Sequence, residues 1–147
     1  MAVEKIHPMI VHFPIALLIT SLFFDFLMLV TKKEGFERTA FHLLILGVLG
    51  SFAAIVFGIL AEDAAGNRPG IHDIIETHEL LAVSTAGLFV IILIVRYIFM
   101  KKDNFQAIRP YYLIAAVLGV ALLLTTAYYG GQLVYEYGAA VSPAILK

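Results

Sequence analysis

The chain has 147 residues, 61% of them hydrophobic and 14% charged, with a net charge of −1 and a mean hydropathy of +0.94. A soluble domain is nearer half apolar and a quarter charged, and a protein this small has no core that could hide the excess, so lipid must take it. With no cysteine, disulfides, thiolate metal sites, iron–sulfur clusters and covalent c-type haem are excluded, and the near-neutral charge leaves no footprint for nucleic acid.

The opening, MAVEKIHP, lacks a basic n-region and an A-x-A-like cleavage site, so the first apolar run is expected to remain as an anchor. That run, about 8–30, begins within IHPMIVHFPIALL, where two histidines and two prolines stand at the helix mouth. Pro8 fits a first turn, where a missing N–H goes unneeded. Pro14 is deeper; it leaves the carbonyl of Ile10 without its helical donor and opens the turn that carries His12. Asp25 is the odd charge of this span, and a carboxylate near a helix centre costs about 2.5–3.5 kcal/mol on insertion scales. Lys32, Lys33 or Arg96 stands within snorkelling reach of it, so a buried structural ion pair is expected. A proton path along the face shared by His7 and Asp25 is the other reading.

After TKKEGFER comes a second span, about 39–61, in which Gly47, Ser51, Ala54 and Gly58 make one narrow stripe of small side chains suited to helix packing. The next connection, EDAAGNRPGIHDIIETHE, holds His72, Asp73, Glu76 and Glu79. If helical, it places His72, Glu76 and Glu79 on one face, and Asp73 with Glu76 resembles a capping box that would start the helix there. The third span, about 78–100, opens on His78, with Ala82, Thr85 and Ala86 on the same face. KKDNFQAIRP leads into the fourth, about 111–135, whose end YYGGQLVYEYG combines an aromatic belt with Gly130–Gly131.

Each run is long enough to cross a bilayer as a helix, and continuous rather than alternating apolarity rules out barrel strands. Short connections make neighbours antiparallel. The expected fold is therefore all-α: an integral membrane antiparallel four-helix bundle forming a single domain. No period of repeat-protein length is visible.

Charge sorts across the membrane. Lys32, Lys33, Arg38, Arg96, Lys101, Lys102 and Arg109 gather at the ends joined by the first and third loops, against Lys5, Arg68 and Lys147 opposite. The positive-inside rule then makes those loops cytoplasmic and sends both termini outward, as expected of a multi-pass protein of a bacterial inner membrane. The outer end also collects Glu4, Glu62, Asp63, Asp73, Glu76, Glu79 and Glu136.

Four of five histidines, His7, His12, His72 and His78, fall at that outer end, with His42 alone at the other. His12 and His78 come to similar depth on antiparallel spans above small residues. They are the expected axial ligands of a non-covalent haem b, with His7 or His72 able to displace either one. Arg68 or Lys5 would meet the propionates. The bland reading is wet, hydrogen-bonded interfacial histidine. Glu76 and Glu79, with His72, Glu62 and Asp63, suggest a divalent-cation site, against which stands a solvated acidic loop with helix-capping residues. H-E-x-x-H is absent, since His78–Glu79 is followed by Leu80, Leu81 and Ala82.

At HPMIVHFPIAL and GGQLVYEYG the chain resembles a family of small bacterial membrane proteins, domain of unknown function 2231, over essentially its whole length. The resemblance implies a four-helix membrane bundle with a histidine opening the third span, matched here by His78. It also implies a grouping with haem-binding cytochrome b-type bundles, which supports His12 and His78 as ligands. It implies no reaction. With only His42 at the other end, one bis-histidine haem is the most this chain could hold.

Three functions compete. The first is a haem b electron carrier between a membrane quinone pool and an outward-facing or periplasmic redox partner. The second is a non-redox assembly subunit that packs through its small-residue stripes, as a homo-oligomer or within a larger complex. The third is a metal- or proton-handling membrane protein using the outer carboxylates and Asp25. Four spans without an inverted repeat do not make a complete transporter monomer, though a dimer could serve. No nucleophile–base pair is present, so a stand-alone enzyme is not expected.

Overall fold

The computed structural model describes residues 6–65 and 70–139, and of 62–65 the backbone alone. Five helices follow one another: α1 (Ile6–Ile10), α2 (His12–Thr31), α3 (Glu34–Ala65), α4 (Ile71–Lys101) and α5 (Phe105–Tyr135). The first two form one broken rod, and with the other three they make four rods long and apolar enough to cross a membrane. No strand occurs among the described residues, and the protein is an all-helical membrane bundle.

Val11, between α1 and α2, keeps helical dihedrals (φ −58°, ψ −25°), so the interruption is the one hydrogen bond that Pro14 cannot make. Proline cannot donate to the carbonyl of Ile10. Continuity rests on Val11 N–H to His7 O at 3.1 Å and on a stretched bond from Ile15 N–H to Val11 O at 3.4 Å. α4 starts earlier than its capping pattern suggested. Its N-cap is Gly70, left-handed at φ 79° and making no side-chain cap, and Asp73 falls inside the first turn. There the carboxylate faces the positive end of the helix dipole without capping it. Left-handed residues also follow α2 and α4, Lys32 at φ 59° and Asp103 at φ 51°. The Lys32 N–H closes α2 on Met28 O at 2.8 Å.

α2 packs along α3 and α4 along α5, and the two hairpins meet through α3–α4 and α2–α5, so α2 faces α4 diagonally and α3 faces α5. Leu18, Leu44, Val48, Phe89, Ile92 and Leu123 fill the middle. Close approach depends on glycine: a Cβ on Gly47 would lie 2.5 Å from Leu18 Cδ2, and one on Gly119 would lie 3.0 Å from Phe89 Cζ. Outward-facing positions such as Phe23, Leu46, Ile91 and Leu118 are exposed, as a lipid-facing surface requires.

Away from the histidines, the bundle encloses a charge. Arg96 has 0% of its surface exposed and Asp25 4%. Arg96 Nη1 donates to Asp25 Oδ2 at 2.9 Å and to the Tyr112 hydroxyl at 2.6 Å, while that hydroxyl donates to Asp25 Oδ2 at 2.8 Å. Arg96 Nη2 donates to Glu37 O at 2.9 Å, and the guanidinium lies over the rings of Phe41, Phe105 and Tyr112. The expected ion pair therefore forms with Arg96. It does so by burial rather than snorkelling, and Arg96 no longer counts among the loop charges. Beside it Arg109 Nη2 meets Glu37 Oε2 at 2.9 Å.

A candidate two-imidazole site

At the other end of the bundle, α1 and α4 bring His7 and His78 together, with ring centroids 6.2 Å apart and planes at 82°. Each ring is half-buried and tied to the second helix of its own hairpin: His7 Nδ1 to Ala54 O at 2.9 Å, and His78 Nδ1 to Thr126 O at 3.0 Å. A carbonyl can only accept, so each Nδ1 carries the proton, and the neutral ring keeps a free lone pair on Nε2. Metal-ligating imidazoles are oriented in this way, by a second-shell acceptor that fixes both tautomer and ring. The rings also stand over glycine. A Cβ on Gly58 would lie 3.1 Å from His7 Cε1, and one on Gly130 would lie 3.0 Å from His78 Cε1.

A cavity of about 370 Å³ adjoins the pair, within the size range of small-molecule sites. Its walls are mostly apolar and small, among them Ala54, Ala82, Ala86 and Ala127. Its hydroxyls are already engaged: Ser51 Oγ donates to Gly47 O at 3.0 Å, and the hydroxyls of Thr85 and Thr126 lie 3.0 Å apart. The exposed His12 and Tyr135 stand at its edge, so it reaches the surface.

The expected partner of His78 was His12, and the structure brings His7 to it instead. Five residues at about 100° each turn His12 roughly 140° from His7, which leaves His12 exposed at the cavity edge and His7 half-buried against α3. The register of α3 selects His7: Leu18 lies over Gly47, Pro14 against Gly50 and His7 over Gly58. Read antiparallel, the small-residue stripe already held that signal. His72 is exposed near the start of α4, and His42 is exposed at the far end. Glu76 is exposed and Glu79 half-buried, and among the described residues no three His, Asp or Glu side chains gather closely enough to hold a metal ion. Arg68 and Lys5, expected at the propionates, lie outside the described residues, as do the side chains of Glu62 and Asp63.

No curated protein and no solved structure matches this chain. A family model described as predicted membrane protein (DUF2231) matches residues 4–143, nearly the whole length, and the chain belongs to that family.

Proposed function

We propose that this protein is a haem b-binding membrane electron carrier in which His7 and His78 would hold the haem iron. The observation that carries the reading is the pair of imidazoles 6.2 Å apart, each held by its own helix carbonyl with Nε2 free, beside an apolar cavity. His7 and His78 would hold the iron through Nε2, the ring nitrogen that the carbonyl hydrogen bond leaves unprotonated. The donor set argues in the same direction. Two imidazoles are too few for a protein-only zinc centre, which takes three or four protein ligands, whereas a porphyrin brings four nitrogens of its own.

Bound haem would supply one-electron exchange at its iron. The protein's part is to orient both imidazoles, fix the Nδ1–H tautomer that leaves Nε2 as the ligating atom, and shield the site with alanine and glycine walls. By the positive-inside rule this end faces away from the cytoplasm of a bacterial inner membrane, where a periplasmic redox partner would dock. The opposite electron partner would be a membrane quinone.

A reduced-minus-oxidised visible spectrum of protein purified from haem-replete cells tests the proposal. An α-band is expected that is lost in His7→Ala and in His78→Ala and kept in His12→Ala. Colourless wild-type protein of full stability would overturn it in favour of a non-redox assembly subunit.

A further inference from the structure

The two imidazoles are held by the same set of contacts twice over. In the first rods, His7 and His78, Leu18 and Phe89, Asp25 and Arg96, and left-handed Lys32 and Asp103 are each 71 residues apart. In the second rods, Glu37 and Arg109, Gly47 and Gly119, Ala54 and Thr126, and Gly58 and Gly130 are each 72 apart. Several pairs do one job in both halves. Gly47 receives Leu18 as Gly119 receives Phe89. Ala54 O accepts from His7 as Thr126 O accepts from His78, across 47 and 48 residues. Three pairs also meet their own counterparts across the diagonals of the bundle: His7 with His78, Asp25 with Arg96, and Glu37 with Arg109.

This is the geometry of a duplicated helical hairpin, its halves related by a pseudo-twofold axis running along the bundle. Residues on such an axis meet their equivalents, which explains why histidine faces histidine. Sequence alone shows little of the duplication beyond LGV at 46–48 and again at 118–120. A hairpin-sized repeat also lies outside the shorter periods of repeat proteins.

We infer that Gly58 and Gly130 are equivalent positioning residues of the site, each holding one imidazole in ligating geometry. The accepting carbonyl lies four residues before each glycine, so the ring must pass over that glycine to reach it. The cost of adding one methyl is decided by proximity. At 3.0–3.1 Å from Cε1 the ring must yield, and the ring is pinned at Nδ1. Ala at either position therefore pushes the imidazole away by a few tenths of an ångström, which stretches the Nδ1–H bond and loosens its hold on the tautomer. As a statement about haem this rests on the proposed function; as a statement about imidazole geometry it does not.

Two measurements separate these layers. In the detergent-solubilised protein without cofactor, imidazole ¹⁵N shifts are expected to report the Nδ1–H tautomer at both histidines. Gly58→Ala should lower the Nδ1–H fraction at His7 alone, and Gly130→Ala at His78 alone. In the haem-loaded protein each variant should raise the high-spin fraction of the visible spectrum, to similar extents. Gly87→Ala is the control, since a Cβ there meets nothing within 4 Å. In a His7→Ala background Gly58→Ala should leave thermal unfolding unchanged or raise it, which identifies the ring as the group displaced and remains readable if the single variant folds poorly. Unaltered tautomers in both glycine variants would overturn the inference. A wild type with the stated tautomers but no haem would overturn the proposed function alone.

Discussion

Replacing Arg96 by leucine tests whether the ion pair holds the two hairpins together. The guanidinium makes hydrogen bonds to Asp25, to the Tyr112 hydroxyl and to the Glu37 carbonyl, and none of it is exposed. Without it Asp25 stays 4% exposed, with the Tyr112 hydroxyl as its remaining hydrogen-bond donor. Removing one partner of a buried pair typically costs about 3–5 kcal/mol, because the other charge is left uncompensated. The middle of that range lowers the folded-to-unfolded ratio roughly a thousandfold, at about 1.4 kcal/mol per decade. Removing the whole network should cost far less: Asp25→Leu, Arg96→Leu and Tyr112→Phe together are expected within about 1 kcal/mol of wild type, or above it. Equilibrium unfolding in mixed micelles, monitored by helicity, gives both values. If Arg96→Leu lies within about 1 kcal/mol of wild type, or the triple variant is as unstable as the single, the reasoning fails.

Other substitutions separate packing from charge. Gly47→Ala drives a methyl into Leu18 and should cost about 1–3 kcal/mol by the same unfolding assay, whereas Gly87→Ala, with open space around it, should gain up to about 1 kcal/mol from helix propensity. Glu34→Ala should change stability by less than about 0.5 kcal/mol, since its pairing with Arg38 is exposed and 3.9 Å long. Arg109→Ala should cost about 1–2 kcal/mol, because it strips the partly buried Glu37 of its charged partner. Thr126→Val should cost about 1 kcal/mol by removing the buried hydroxyl contact with Thr85. It leaves the backbone carbonyl that accepts from His78, so the Nδ1–H tautomer there should survive in ¹⁵N spectra.

Hydropathy made the bundle legible because a membrane span is written in composition, over windows too long to mistake. Pro14 likewise located the break, since a missing N–H has a local consequence wherever it falls. Asp25 announced a partner for a similar reason: a carboxylate in hydrocarbon must find one. Which cation it takes depended on the diagonal across the bundle, and no local pattern records a diagonal. That His7 rather than His12 lies against His78 was hidden on the same ground. Depth in the membrane admits both, whereas orientation depends on the register of α2 against α3 and on which glycine each ring would cross. The acidic residues around Glu76 and Glu79 show the reverse case, where helical spacing suggested a cluster and the described side chains do not assemble into one.

The pairing of Asp25 with Arg96 bears on the order in which the chain is made. The carboxylate enters the bilayer with the first rod, and its guanidinium emerges only near the end of the third. Until then the nascent first hairpin carries an unmatched acid worth about 2.5–3.5 kcal/mol in lipid. A chain truncated after the second rod would keep that cost. Arrival of Arg96 with the third rod gives the acid its partner.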